Sequence, residues 1–125
     1  MTPQEAAKIL VGKKKIAVMT GAGVSVASGI PTYREKEGFW DIINANKYAG
    51  ECRPENIATY KFFNVHPYAT WQWHVDFFKI LAKPTVKPNA GHYAIRDFQE
   101  YCALSKGAKK VESILVTQNI DNLHA

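Results

Sequence analysis

The sequence predicts an α/β fold, in which two strands of a parallel sheet are separated by one long helical excursion. Three observations predict it. Two short apolar runs, Lys15 to Thr20 and Ser113 to Thr117, are each bounded by polar or small residues. Between them, apolar residues recur at helical spacing. The first run also opens directly into a turn of small residues, "GAGVSVASGIP". The order helix, strand, glycine turn, helices, strand is that of an α/β layout.

Each element has its own signal. Thr2 is a plausible N-cap, Pro3 takes the first helical position, and Glu5 completes a capping box. Gly12 supplies the C-terminal stop. Lys15 to Thr20 reads as a buried strand. From Gly21 to Trp40, the small residues and Pro31 predict a loop holding one helical turn near Val24. Residues 44–56 read as a connection. Trp73, Phe77, Ile80 and Leu81 then share one face of a helix that Pro67 begins and "AKPTVKP" ends. Asn89 caps another helix, with Ile95, Phe98 and Cys102 facing inward and "SKG" closing it. Ser113 to Thr117 is the second strand. No internal repeat or low-complexity tract interrupts this order.

With 125 residues, 46% apolar and 22% charged, the chain has the composition of a soluble globular domain or part of one. Sixteen basic and eleven acidic residues give a formal charge of +5. The one tight basic run, Lys13-Lys14-Lys15, reads as a solvated flank, so no direct nucleic-acid binding is expected. Cys52 and Cys102 lie far apart with no C-x-x-C, which supports neither a zinc site nor a disulfide framework. The N-terminus is too polar for a signal peptide, and no apolar run approaches the length of a membrane span. An intracellular protein, cytoplasmic or nuclear and without a membrane partner, is the expectation.

Two stretches carry chemistry. A strand leading into Gly21-Ala22-Gly23 presents backbone N–H groups at its end, and a helix starting near Val24 would add its positive N-terminus. That suits a pyrophosphate; a tight strand-to-helix turn is the alternative. The turn does not match the dinucleotide fingerprint, because Val26 takes the third glycine position, nor the P-loop, because no Gly-Lys-Ser/Thr follows. The second stretch is "TQNID", which puts two amides and a carboxylate straight after a strand, where open α/β sheets bind ligands. Asn119 and Asp121 also form turns readily. Gln118 has no such structural role.

Four separated motifs, "GAGVSVASGIPTYR", "GFW", "PNAGH" and "TQNIDNLH", resemble in order and spacing the sirtuins, NAD-dependent protein deacylases. The resemblance runs over residues 3–125 and covers about the first half of a sirtuin catalytic core. It implies a Rossmann-like parallel sheet, with residues 1–125 forming part of an NAD-binding catalytic domain. By that resemblance Gly21, Ala22 and Gly23 would cradle the NAD pyrophosphate, with Ser25 beside it. Ser28, Ile30, Asn119, Ile120 and Asp121 would line the nicotinamide pocket, and Gln118 would hydrogen-bond the nicotinamide ribose. Thr32, Tyr33 and Arg34, on the loop running to Trp40, would close over the cofactor. Gln118, Asn119 and Asp121 would also support catalysis.

The implied reaction consumes NAD: the acyl group of an acyl-lysine protein passes to ADP-ribose and nicotinamide leaves. The family's histidine base and its four-cysteine zinc module lie beyond "TQNIDNLH". The resemblance therefore implies no metal ligand here, zinc only in a longer form, and a 125-residue chain that is inactive alone. Such a chain is expected to be poorly folded or self-associating, since its strands would lack neighbours. His124 is not that base, and His66, His74 and His92 read as structural. Thr32-Tyr33 stands where many members have Asp-Phe. The helix before "PNAGH" lacks the Tyr-x-x-Arg pair of members that remove acidic acyl groups, so acetyl or longer neutral acyl groups are expected. The alternatives are an NAD- or ADP-ribose-binding module without turnover, and an NAD glycohydrolase or mono-ADP-ribosyltransferase.

Overall fold

The computed structural model describes residues 1–32 and 54–124. In chain order they form α1 (Pro3–Leu10), β1 (Lys15–Thr20), a 3-10 segment (Ala22–Ser28), α2 (Pro54–Ile57), α3 (Tyr60–Val65), α4 (Pro67–Leu81), α5 (Ala90–Leu104), a 3-10 turn (Gly107–Lys109) and β2 (Glu112–Thr117). The chain divides into two compact units, one of Met1–Val24 with Pro88–Ala125 and the other of Ser25–Lys87.

The first unit is the α/β part. α1 begins as its sequence dictates: the Thr2 hydroxyl accepts from the Glu5 N–H at 3.2 Å, and the Glu5 carboxylate accepts from the Thr2 N–H at 2.7 Å. Such a cap contributes about 1 kcal/mol. Gly12, at φ +80°, turns the chain out of the helix in the left-handed conformation that glycine adopts without strain. β1 and β2 pair in parallel, from Lys15 opposite Glu112 to Thr20 opposite Thr117. The Gln118 N–H donates to the Thr20 carbonyl at 3.1 Å and carries the ladder one residue past the strand. α5 packs against β2 and buries His92 and Cys102.

One expectation needs correction here, and a second is borne out and refined. β1 is a strand but not a buried one. Ile16, Val18 and Leu115 are half-buried on one face, whereas Met19 is 71% and Ile114 59% exposed on the other. A short apolar run reports a strand; whether both faces are covered depends on what packs on them. The helical turn near Val24 is a 3-10 segment starting at Ala22, with the Val24 N–H bonded to the Gly21 carbonyl at 3.1 Å. Gly23, β-branched Val24 and Val26, and Ser25 all weaken α-helix formation, which favours the tighter i to i+3 bonding.

The second unit is helical in its described part. α4 starts at Pro67 and buries Ala69, Thr70, Trp73 and Phe77, with Ile80 and Leu81 half-buried. The Trp73 and Phe77 rings stack at 6.1 Å between centroids. α3 has no counterpart among the expected elements. Thr59 caps it, accepting from the Phe62 N–H at 3.2 Å, and Phe62 is its buried side chain. The expected connection over residues 44–56 ends instead in α2, which starts at Pro54 and contains the fully buried Ile57; proline at a helix start needs no N–H donor. The rest of that connection lies outside the described residues. No helix among the described residues is long and apolar enough to cross a membrane.

Candidate functional site

Because Thr20 and Thr117 are register partners, Gly21 and Gln118 leave the sheet side by side. The Asn119 amide Nδ2 donates to the Gly21 carbonyl at 3.0 Å, and the Asn119 N–H donates to the Thr117 hydroxyl at 3.1 Å. Two motifs 98 residues apart are thus joined by one side chain. Beyond it, the Asp121 Oδ1 accepts from the Leu123 N–H at 3.0 Å, and Asn122 sits at φ +60°. This turn chemistry, for which short polar side chains are suited, brings the chain back toward the strand end. Leu123 is buried there, and His124 Nε2 lies 3.0 Å from the Thr20 hydroxyl.

His92 backs this arrangement. Its ring, 3% exposed, lies 4.7 Å from that of His124 between centroids. The Asn89 N–H donates to His92 Nδ1 at 3.2 Å, so the neutral ring carries its proton on Nε2. Burial lowers the His92 pKa below 6.5; neighbouring His124 lowers it further, and Asp121 pulls it back up. Asn89 does more than cap α5. Its Oδ1 accepts from the Gly91 N–H at 2.8 Å, while its Nδ2 donates to the Val24 carbonyl at 2.8 Å. "PNAGH" therefore tethers the far end of the glycine turn.

The turn itself leaves open space beside its glycines. A Cβ added at Gly21 or Gly23 would meet nothing within 4 Å among the described residues, and neither glycine has a positive φ. Among the described residues, neither packing nor backbone conformation there calls for glycine. Alongside, a cavity of about 180 Å³ is lined by Thr117, Asn119, Ile120, Asp121 and His124, among others. That is below the roughly 300–1,000 Å³ of drug-sized pockets. It has room for one small ring, not for a dinucleotide.

Of the residues expected at the site, Gly21, Ala22, Gly23, Gln118, Asn119, Ile120 and Asp121 come together at these strand ends. Gln118 and Ile120 are exposed, Asn119 and Asp121 half-buried. Ser25, Ser28 and Ile30 are buried and Thr32 is half-buried; they belong to the second unit, where the Ile30 N–H donates to the Ser25 carbonyl at 3.3 Å. Tyr33, Arg34 and Trp40 lie outside the described residues. His74 Nδ1 is 2.8 Å from the Thr70 carbonyl one turn earlier, and His66 stands at the junction of α3 and α4. Sequence reasoning missed Thr20, the second bond of Asn89 and the anchoring of His124. The one available signal was a hydroxyl ending an otherwise apolar strand.

Residues 21–125 match the model of the Sir2 family. An NAD-dependent protein deacylase of Thermus thermophilus is 40% identical over 98% of this chain and 42% of its own length. One of Pyrococcus abyssi is 37% identical over 96% of this chain and 40% of its own length. Among solved structures, a Sir2 homologue in complex with NAD is 31% identical, covers 99% of this chain and 41% of its own, and superposes with a TM-score of 0.69. A triple-mutant Sir2 homologue in complex with 2′-O-acetyl ADP-ribose gives a TM-score of 0.70 at 31% identity, over 98% of this chain and 42% of its own. The chain spans about two fifths of the length of the relatives it matches. Matched by the family model over residues 21–125 and 40% identical to a relative over nearly the whole of its own length, the chain belongs to the Sir2 family.

Proposed function

We propose that this chain supplies the pyrophosphate and nicotinamide subsites of an NAD-dependent protein deacylase. One observation carries the reading: the side chain of Asn119, from "TQNID", bonds the Gly21 carbonyl, so a glycine turn open to a phosphate and a ring-sized cavity are one structure. The names of its relatives support the same activity. NAD, when bound, would supply the ribose carbon that the acyl-lysine carbonyl oxygen attacks as nicotinamide leaves, and the ribose hydroxyl on which the acyl group ends.

The residues then have distinct tasks. N–H groups of the Gly21 to Gly23 turn hold the pyrophosphate, with Ser25 beside them. Asp121 and the Ile120 backbone pair with the carboxamide, as a carboxylate and a peptide group can. Gln118, exposed at the strand end, takes a ribose hydroxyl. His92 and His124 are engaged with Asn89 and Thr20, and neither is assigned as the base. Zinc is assigned to no residue of this chain. Neutral acyl groups are the proposed substrates, because α4 reads "TWQWHVDFFKILA" without a Tyr-x-x-Arg pair.

Titration of the chain with ADP-ribose, followed by calorimetry, tests the reading. The double variant Gly21→Ala with Gly23→Ala should lose affinity at least tenfold, about 1.4 kcal/mol. Its unfolding free energy should stay within about 0.5 kcal/mol of the parent, since the added methyl groups meet open space. Equal losses of stability and affinity would make the glycines structural. Failure of the parent chain to bind ADP-ribose or NAD would overturn the assignment.

A further inference from the structure

At the opposite end of the same strands the parallel register joins charges that are far apart in sequence. Lys13, Lys14 and Lys15 lead into β1; Lys106, Lys109 and Lys110 lead into β2. With Lys15 opposite Glu112, both groups lie at one edge. The Glu112 N–H donates to the Lys14 carbonyl at 2.8 Å, and the Glu112 carboxylate stands 3.8 Å from the Lys15 ammonium and 3.6 Å from that of Lys110. All six lysines are exposed. Of sixteen basic and eleven acidic residues in the chain, six and one lie in these two segments, and the ten of each that remain cancel. These two segments therefore carry a net +5, equal to the formal charge of the whole chain.

Exposed aliphatic side chains stand beside the lysines. Val11, two residues before Lys13, is 79% exposed; Leu104, two before Lys106, is 77% exposed; Ile9 and Leu10 are exposed as well. Neither segment, 9–15 or 104–112, contains an arginine or an aromatic ring, the groups that read or stack on bases. A nucleic acid would engage the lysines and leave the aliphatic residues wet. An anionic bilayer surface accommodates both.

We propose that this edge docks on an anionic lipid bilayer, its lysines among the headgroups and Val11 and Leu104 at the acyl boundary. Clusters of about four to eight cations have this property, and inserted apolar side chains add to the attraction. The edge is charged by register and not by any single run. The expectation of no membrane partner rested on the lack of a signal peptide and of a spanning segment, neither of which surface docking needs. The proposal does not depend on the NAD reading, whose residues lie at the other strand ends.

Co-sedimentation of the full chain with vesicles tests it, using phosphatidylcholine alone and phosphatidylcholine mixed with phosphatidylserine. Binding is expected only to the mixed vesicles. Lys13→Gln, Lys14→Gln, Lys109→Gln and Lys110→Gln together should weaken it at least about a hundredfold, given the typical contribution of each lysine. The same change at Lys61, Lys79, Lys83 and Lys87, which leaves an equal net charge, should weaken it by no more than about threefold. Val11→Ser with Leu104→Ser should weaken vesicle binding roughly tenfold and leave binding of a DNA duplex unchanged. No binding to mixed vesicles overturns the proposal, as does an equal loss in the control set. Serine variants that bind vesicles as the parent does, with a DNA duplex bound through the edge lysines, would make the surface a nucleic-acid site instead.

Discussion

The two ends of the β1–β2 pair use polar side chains in opposite ways. At the carboxyl end, Asn119, His124 and Asn89 bond the chain to itself over separations of 98, 104 and 65 residues, all partly buried. At the amino end, Lys15 and Lys110 share Glu112 at 3.8 and 3.6 Å, each side chain more than half exposed. The first set fixes geometry, because a partly buried hydrogen bond has no equal competitor in water. The second set fixes charge and little else. Position along a parallel pair, more than residue type, decides which of these a polar group does.

Removing His92 should break the carboxyl end most severely. His92→Ala deprives the Asn89 N–H of its acceptor and opens a void against the His124 ring. A buried ring lost with a hydrogen bond costs about 3 kcal/mol. Urea denaturation measures it. A cost below about 1 kcal/mol would mean that the ring pair is incidental and that the two ends differ less than their bonding suggests.

The contrast also has a pH signature. Burial and the neighbouring His124 hold the His92 pKa below its ordinary 6.5, against the pull of Asp121. The unfolded chain therefore binds a proton at higher pH than the folded one does. The stability of this neutral, buried ring is fully present above pH 6.5 and is lost as the pH falls through the folded value. Melting temperatures at pH 8 and pH 5 should show the fall, and His92→Gln should flatten the part due to this residue. An unchanged slope in that variant would assign the acid sensitivity elsewhere.

How much of this was legible beforehand divides along the same line. The capping box of α1, the start of α4 at Pro67 and both strand positions follow from local rules, and each is where the residues place it. Gly21 and "QNID" were legible as standing at strand ends because both follow strands. The link between them was not, since Asn119 reaching Gly21 depends on register. The histidines show the limit most clearly. His92 reads as a packing or capping residue and is both, yet no local pattern pairs it with His124. α2 and α3 were missed because helices of four and six residues are too short for periodicity to show. The lysine edge was missed for the same reason as the Asn119 link, being two modest runs that only pairing adds together.

The smallest effect is expected from Glu112→Gln, and it bears on the comparison through its contrast with His92. The carboxylate is 57% exposed, and both of its lysine partners are longer than an ordinary hydrogen bond. Its attraction to two lysines is opposed by side-chain ordering and screened by salt, so the unfolding free energy should change by no more than about 0.5 kcal/mol. That change should vanish in concentrated salt, where exposed charges no longer reach one another. The substitution removes the one acid among the six lysines, so association with phosphatidylserine vesicles should strengthen while stability barely moves. A stability loss as large as that of His92→Ala would show that the amino end also holds the strands together, and the division of labour between the two ends would fail.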